Sequence, residues 1–174
     1  MIRSAHTHDT AVVVTLAVSS GLFTQQESGG VGDLMEDYFT RTCAQGHACV
    51  LDVDGDGLPV GVAYYQPVPA TDRTWTLLMI AVRRDRQGQG RGGALLRRVE
   101  EDLRHRQQRL LLVETSGLPG FSLTRKFYDR AGYRPEARVR DYYQAGDDMV
   151  LFRKDLTATK PGTTGRPGSN RSRA

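Results

Sequence analysis

The stretch Gln87-Gly88-Gln89-Gly90-Arg91-Gly92-Gly93 decides the architecture that we expect for this chain. An apolar run at 77–82 precedes it, and apolar residues at helical spacing from Ala94 to Leu103 follow it. A strand that passes through glycines into a helix leaves the first amides of that helix without acceptors. Those amides and the positive end of the helix dipole favour a phosphate, and glycine lets a ligand approach the backbone closely. The stretch therefore predicts a strand–loop–helix unit that holds a diphosphate.

The rest of the chain predicts an α+β fold with a mixed, mostly antiparallel central sheet and helices on both faces. Strands are predicted at 1–5, 48–53, 59–65, 74–82, 109–115, 138–143 and 149–153, and helices from Thr7, from Asp33, from the glycine stretch to about 107 and over 122–130. Residues 28–32, Ser-Gly-Gly-Val-Gly, predict a loop, after which Asp33 would cap the second helix. Asp54-Gly55-Asp56-Gly57 predicts a hairpin turn between the second and third strands.

Composition places the chain among ordinary globular proteins. It has 174 residues, of which 39% are hydrophobic and 25% charged, and this length favours one domain. No apolar run is long enough to cross a bilayer and the first residues do not form a secretory signal, so we expect a cytoplasmic protein without a membrane partner. Cys43 and Cys49, with His47 between them, do not make a four-ligand zinc set, so we expect free thiols and no metal.

The positive net charge comes from the last residues. Residues 157–174 are rich in Gly, Pro, Ser and Thr, and they carry four of the 24 basic residues and none of the 20 acidic ones. We therefore expect a folded domain at 1–156 and a disordered basic tail at 157–174. The body is neutral, which argues against a nucleic-acid partner.

Two nucleotide sites compete for the glycine stretch. Gly88, Gly90 and Gly93 satisfy the dinucleotide pattern G-x-G-x-x-G, and Glu114 follows at the spacing of a ribose-binding acid. However, this pattern comes after two helices and a hairpin, and the sequence beyond it is too short for the second half of a doubly wound sheet. A P-loop is excluded because no Gly-Lys-Ser/Thr follows. A dinucleotide enzyme is the weaker alternative.

The residues resemble the GNAT superfamily of acetyl-CoA-dependent N-acetyltransferases. Gln87-x-x-Gly90-x-Gly92 is similar to its coenzyme signature Gln/Arg-x-x-Gly-x-Gly/Ala, and Phe127-Tyr128-x-x-x-Gly132-Tyr133 is similar to its second motif, Phe-Tyr-x-x-x-Gly-Phe/Tyr. The two motifs are separated by a predicted strand, and the order of elements agrees over residues 1–156. The resemblance implies a GNAT-like fold, acetyl-CoA as co-substrate and, as in other members, a homodimer as one assembly to expect.

The resemblance also implies roles for particular residues. Backbone amides would bind the coenzyme diphosphate, and the end of the preceding strand would pair with the pantetheine in a V-shaped gap and polarise the thioester. The residues concerned are Gln87, Gly88, Gln89, Gly90, Arg91, Gly92 and Gly93 for the diphosphate, and Ile80, Ala81 and Val82 for the pantetheine. Tyr128 would be the general acid, with simple core packing as its alternative. Glu114, at the exit of an apolar strand that we expect to desolvate its carboxylate, is the candidate base, or alternatively a partner for an arginine or an amide.

These expectations describe an enzyme that transfers acetyl from acetyl-CoA to a primary amine of a small molecule or of a peptide or protein N-terminus, by direct attack. The alternative is a catalytically silent acyl-CoA-binding or regulatory module. Residues 115–121 depart from the Asn-containing turn common in the family, so the acceptor is not defined. Residues 141–149 resemble the ending of N-terminal-alanine acetyltransferases, where acidic and aromatic side chains could hold an ammonium group; a polar hairpin turn is the interpretation that we favour.

Overall fold

The computed structural model describes residues 1–21, 24–26 and 28–157. The strands of this part are β1 (Ile2–Ser4), β2 (Ala48–Val53), β3 (Pro59–Pro67), β4 (Thr74–Val82), β5 (Leu110–Ser116), β6 (Arg134–Gln144) and β7 (Asp147–Asp155). The α-helices are α1 (Thr10–Ser19), α2 (Ser28–Asp37), α3 (Arg91–His105) and α4 (Ser122–Arg130), and α2 continues as a π-helical segment, Tyr38–Thr42. Short 3-10 turns cover Thr7–Asp9, Arg84–Arg86 and Pro119–Phe121.

These strands form a single sheet in the order β1-β2-β3-β4-β5-β7-β6. Of the neighbouring pairs in the described residues, β4 and β5 are parallel and the others are antiparallel. The parallel pair follows from the crossover through α3, because parallel strands cannot be joined by a tight turn. The predicted α+β class with a mostly antiparallel sheet is confirmed.

Helices cover both faces of the sheet and define two hydrophobic layers. On one face, apolar residues of α3 and α4 pack with β4, β5 and β7; this layer includes Leu95, Leu96, Val99, Leu103, Tyr128, Leu111, Val113 and Phe152. On the other face, α1 and α2 pack on β2, β3 and β4; this layer includes Val13, Leu16, Ala17, Val31, Met35, Leu51, Tyr64 and Met79. The helical spacing from Ala94 to Leu103 correctly predicted the α3 part of the first layer, where Leu95, Leu96, Val99 and Leu103 are buried.

The prediction of a loop at residues 28–32 is wrong, because α2 already begins at Ser28. Asp33 consequently lies inside the helix and does not cap it. Val31 and Met35 are buried in the layer shared with α1, and Met35 is fully inaccessible. Burial of these side chains outweighs the low helix propensity of the glycines, since packing supplies most of the stability of a helix in a protein.

The hairpin predicted at Asp54-Gly55-Asp56-Gly57 is confirmed. The Asp54 carboxylate accepts hydrogen bonds from the amides of Asp56 (3.1 Å) and Leu58 (3.0 Å), and Gly57 has a φ of 81°. A short acidic side chain that accepts from amides two and four residues ahead stabilises such a turn.

A β-bulge in β4 determines the shape of the sheet centre. Tyr64 of β3 pairs with Met79, while its neighbour Tyr65 pairs with Leu77, so Leu78 is an extra residue in β4. Pairing of β4 with β5 runs from Thr74 and ends at Leu77 opposite Val113. A bulge bends its strand and increases the local twist. Within the described structure, the ends of the two parallel strands are therefore unpaired with each other and leave a cleft.

Candidate active site

The glycine loop at residues 87–93 lies exposed at the end of β4 and leads into α3. Gly88 and Gly90 have φ values of 73° and 78°, and a Cβ atom on either would meet open space. Glycine adopts this left-handed conformation at no steric penalty. The first intrahelical bond joins the amide of Ala94 to the carbonyl of Gly90 at 3.0 Å.

The amides of this loop are free to bind an anion. Among the described residues, no acceptor is present for the backbone N–H groups of positions 88 to 93. Six consecutive unpaired amides at a helix N-terminus, with nothing covering Gly88 or Gly90, form a concave site for negative oxygens. The motif had predicted this arrangement of the backbone.

The side chain of Gln87 ties the loop to its surroundings. Its Nε2 donates to the carbonyl of Val82 at 2.8 Å and to that of Ser20 at 3.4 Å. One side chain thus joins the loop to the end of β4 and to the end of α1. The resemblance predicted that the backbone amide of this residue binds the diphosphate, but that amide donates to the carbonyl of Arg84 at 3.3 Å. The bridge made by its side chain is an additional finding.

Arginines beside the loop form ion pairs with carboxylates. Arg83 pairs with Asp85 at 2.7 Å, Arg91 with Asp52 at 2.8 Å, and Arg86 lies 3.6 Å from Asp54. In the pair of Arg91 with Asp52 the carboxylate is buried, since the Asp52 side chain is only 5% exposed. These pairs neutralise much of the basic charge around the amides.

Ile80, Ala81 and Val82 lie where the resemblance predicted, at the end of β4 beside the cleft. They pair with Ala63, Val62 and Gly61 of β3, which occupies one edge of the strand. Their other edge faces the cleft, because the pairing with β5 has already ended. Peptide groups on a free strand edge can pair with an extended ligand.

Glu114 is the first residue of β5 beyond the last pair with β4, so it lies at the apex of the cleft. It pairs with Leu151 of β7 on the other side. Its side chain is exposed, so the preceding apolar residues do not enclose the carboxylate as we had expected.

Tyr128 lies on α4 with its ring in the core and is 3% exposed. Its ring contacts those of Phe127, Tyr133 and Phe152, with centroid distances of 5.1, 5.7 and 5.8 Å. Its hydroxyl has no hydrogen-bond partner in the described part of the chain. Burial raises the pKa of Tyr128 well above its ordinary value, so the phenol keeps its proton at neutral pH. The ring thus packs in the core, and its hydroxyl remains available.

Contacts between elements bring α4 to the loop. A Cβ atom placed on Gly92 would lie 3.7 Å from the Phe127 ring. Arg125 donates from Nη1 to the carbonyl of Ser116 at 2.6 Å and to that of Leu118 at 3.0 Å, which fixes the turn between β5 and α4. Sequence reasoning missed Arg125, because nothing in its local pattern shows which carbonyls it reaches.

The β6–β7 hairpin adds aromatic and acidic groups near Glu114. Partial burial and the nearby Glu114 carboxylate raise the pKa of Tyr143 to about 12, with smaller effects of Tyr142 and Asp147. Asp147 is buried and accepts a hydrogen bond from the Ser116 hydroxyl at 2.5 Å. In contrast, Asp141 accepts from the amide of Gly146 at 2.7 Å and so stabilises the hairpin turn. Asp141 thus stabilises the hairpin turn, whereas Asp147 is held by Ser116 at the end of β5.

The described residues offer neither a metal site nor a membrane-spanning helix. No group of three or more His, Cys, Asp or Glu side chains there could hold a metal ion, and the described Cys43 and Cys49 are free thiols. None of the helices described is both long and apolar enough to cross a membrane.

The chain is similar in sequence and in structure to known acetyltransferases. The family model described as an acetyltransferase (GNAT) domain matches residues 44–135. A search of curated protein sequences gives no significant match. A solved structure from Desulfovibrio desulfuricans, assigned to the GNAT acetyltransferase family, is 36% identical, has a TM-score of 0.84, and is matched over 90% of this chain and 98% of its own.

Two more distant structures share the fold alone. The ribosomal-protein-S18-alanine N-acetyltransferase of Escherichia coli is 19% identical with a TM-score of 0.73, over 93% of this chain and 97% of that one. An aminoglycoside 6'-N-acetyltransferase complexed with coenzyme A is 13% identical with a TM-score of 0.74, over 92% and 99%. With its glycine loop, the cleft between β4 and β5, the family model and the 36% identical relative in agreement, the chain belongs to the GNAT family and is an N-acetyltransferase.

Proposed function

We propose that this enzyme transfers the acetyl group of acetyl-CoA to a primary amine of a small molecule or of a peptide or protein N-terminus, by direct attack. The observation that carries the proposal is the row of six unpaired amides at 88–93, next to a cleft between two parallel strands. Membership of the family and the coenzyme A complex of one structural neighbour support acetyl-CoA as the donor.

The residues present fit this co-substrate. The amides from Gly88 to Gly93 would hold the diphosphate, whose charge also suits the N-terminus of α3. The free edge of Ile80, Ala81 and Val82 would pair with the amides of the pantetheine arm, and an N–H there would donate to the thioester oxygen. When bound, acetyl-CoA supplies an activated acetyl group on sulfur.

Glu114 and Tyr128 account for the two proton movements. As the amine nitrogen forms a bond to the acetyl carbon, the carbon–sulfur bond breaks. Glu114, at the apex of the cleft, accepts the proton that the amine loses, directly or through water. Tyr128, kept protonated by burial, donates a proton to the departing sulfur. The proton balance is complete without a nucleophilic cysteine, so no acetylated enzyme is needed.

The cleft mouth suits an amine that arrives as an ammonium ion and releases one proton to water before it attacks as the neutral amine. Burial raises the pKa of Tyr143 most, and the added effects of Glu114 and Asp147 support a position of Tyr143 near these two carboxylates. Carboxylates attract an ammonium group, and an aromatic ring face adds a cation–π contact. These groups suit an amine of either proposed class.

The test measures release of free thiol from acetyl-CoA with a panel of primary amines and short peptides. Wild type should turn over at least one acceptor, whereas Tyr128→Phe should bind coenzyme A normally and lose about 10²- to 10⁴-fold in kcat. Tyr65→Phe is the matched control, because Tyr65 is a buried phenol of the same layer whose hydroxyl bonds to Asp102 at 2.7 Å, away from the cleft.

Three results would contradict the proposal. Thiol release that is absent across the panel, while calorimetry shows tight coenzyme A binding, would indicate a silent acyl-CoA-binding module. Equal losses in Tyr128→Phe and Tyr65→Phe would remove the acid role from Tyr128. Stronger thermal stabilisation by NAD than by acetyl-CoA would favour a dinucleotide site.

A further inference from the structure

Two carboxylates of the β2–β3 hairpin face arginines that border the glycine loop on either side. Asp52 lies in β2 and Asp54 in the turn that follows it. Arg86 comes just before the loop, and Arg91 is the first residue of α3, directly after Gly90. The hairpin therefore contacts the loop region at two residues, Arg86 and Arg91. Both are distant in sequence from Asp52 and Asp54.

The contact of Asp52 with Arg91 is the firmer one. Nη1 of Arg91 donates to Oδ2 of Asp52 at 2.8 Å, and the Asp52 side chain is nearly inaccessible. The amino group of Met1 lies 3.7 Å from its other oxygen. A charge-assisted bond to a buried carboxylate has a defined geometry, unlike an exposed ion pair. The pair therefore fixes where Arg91, and with it the end of the loop, lies.

The contact of Asp54 with Arg86 is looser. The two side chains are 3.6 Å apart, and in the described structure neither Oδ2 of Asp54 nor Nε of Arg86 has a hydrogen-bond partner. Oδ1 of Asp54 is used by the hairpin turn. This second pair therefore does not determine the loop geometry by itself.

We propose that Asp52 is a positioning residue for acetyl-CoA binding, acting through Arg91; this inference rests on the proposed function. The bond draws the guanidinium towards β2 and holds the backbone after Gly90, so that the amides of 91–93 point together at the diphosphate. Preorganised donors bind better than donors that must be ordered on binding. The opposite hypothesis is that Asp52 only offsets the charge of Arg91. Removal of the Asp52 carboxylate would then leave the Arg91 guanidinium free to bind the coenzyme phosphates, and coenzyme A would bind more tightly.

The test compares Asp52→Asn with Asp9→Asn. Asp9 is also a buried carboxylate held by one arginine, Arg3, at 2.7 and 2.9 Å, but it contacts β1 and not the loop. Both variants should lower the Tm by several degrees, since each weakens a buried pair. Only Asp52→Asn should raise the Kd for coenzyme A and the KM for acetyl-CoA, by roughly tenfold, with kcat changed less than about twofold.

A second variant keeps the proposal testable if Asp52→Asn does not fold. Arg91→Lys retains the positive charge but lacks the planar fork of the guanidinium. Positioning predicts a Kd for coenzyme A raised several-fold in Arg91→Lys, and no further rise when Asp52→Asn is added to it.

The outcomes separate this inference from the function on which it rests. An unchanged or lower Kd in Asp52→Asn, or in Arg91→Lys if the former is unfolded, would overturn the positioning role while wild type still binds coenzyme A. A wild type that does not bind coenzyme A would instead overturn the proposed function. If Asp9→Asn raises the Kd for coenzyme A as much as Asp52→Asn does, the rise comes from general destabilisation of the fold and not from the position of Arg91.

Discussion

Glu114 is placed by pairing, not by burial, at the apex of the cleft between β4 and β5. If it accepts the amine proton, Glu114→Gln should lower kcat at neutral pH by about 10²-fold or more and leave the KM for acetyl-CoA unchanged. The rate of the variant should then rise with pH, because solution deprotonates more of the acceptor. A pH–rate profile measures this. Glu101→Gln, on the exposed side of α3, is the control; retention of most of the activity by Glu114→Gln would exclude the base role.

The ion pair of Asp9 with Arg3 should make stability depend on pH in acid. The hydrogen bond from Arg3 lowers the pKa of Asp9 from 3.8 to about 2, against the effect of burial. A lowered pKa stabilises the fold above the unfolded value, and this stabilisation is lost as the pH falls from about 4 towards 2. Wild type should exceed Asp9→Asn by about 2 kcal/mol in free energy of unfolding at pH 7 and by little near pH 2. Urea titrations at both pH values check this; a constant difference would contradict it.

Single residues could be predicted from the sequence where a local pattern fixes the backbone. The glycine spacing predicted the strand–loop–helix unit around 88–93, and the predicted helix over 122–130 contains Tyr128, as observed. Partners such as Asp52 for Arg91 could not be predicted, because the two lie 39 residues apart and meet only once the sheet has formed. The burial of Glu114 was overestimated for a similar reason: the apolar residues before it alternate between two faces, and its own face is open.

At the scale of elements, Gly61 lets α3 approach the sheet closely. A Cβ atom on Gly61 would lie 2.9 Å from Cδ1 of Leu95 and 3.2 Å from the carbonyl of Ala81. Gly61→Ala should therefore lower the free energy of unfolding by about 1–3 kcal/mol, since the core must shift to admit a methyl group. Gly55→Ala is the matched control, with nothing within 4 Å and an expected change within about 0.5 kcal/mol. If urea titrations give Gly61→Ala and Gly55→Ala the same free energy of unfolding, α3 can shift away from the sheet without a loss of stability.

The strands were predicted well, and α2 and the bulge were not. Alternation and turn residues identify a strand and its ends, as at β2, β3 and β4. In α2 the glycines argued against a helix, whereas burial of Val31 and Met35 against α1 favoured it. The bulge at Leu78 gave no signal, because β4 is apolar on both faces and its pattern is the same with or without an extra residue.

At the scale of the whole molecule, the boundary near residue 156 stays a prediction, and the predicted tail lies almost wholly outside the described residues. Leu156 is buried, and its amide donates to the carbonyl of Arg109 at 2.9 Å. A chain ending after Thr157 should keep its kinetic constants and lose no more than about 0.5 kcal/mol in stability. A chain ending after Arg153 should be clearly less stable, because it also loses the 2.7 Å pair of Lys154 with Glu100. Thermal unfolding of the two truncated chains measures these stabilities. A similar loss of stability in both would place the domain boundary inside the predicted tail.

The order of elements brings the glycine loop from the middle of the chain and Glu114 of β5 to the cleft between β4 and β5. The family resemblance predicted that the coenzyme lies between these two strands, and a place for Tyr128 at the same cleft stays a prediction. The homodimer stays a prediction, which sedimentation can test.

The extra residue in β4 means that the number of residues there matters as much as their identity. Leu78 is 47% exposed, so many side chains fit at its position. Deleting it would make Leu77 and Met79 neighbours on a regular strand, which keeps them on opposite faces but removes the bend that the bulge gives β4. The cleft between β4 and β5 therefore tolerates substitutions at Leu78, but its shape depends on the presence of this extra residue.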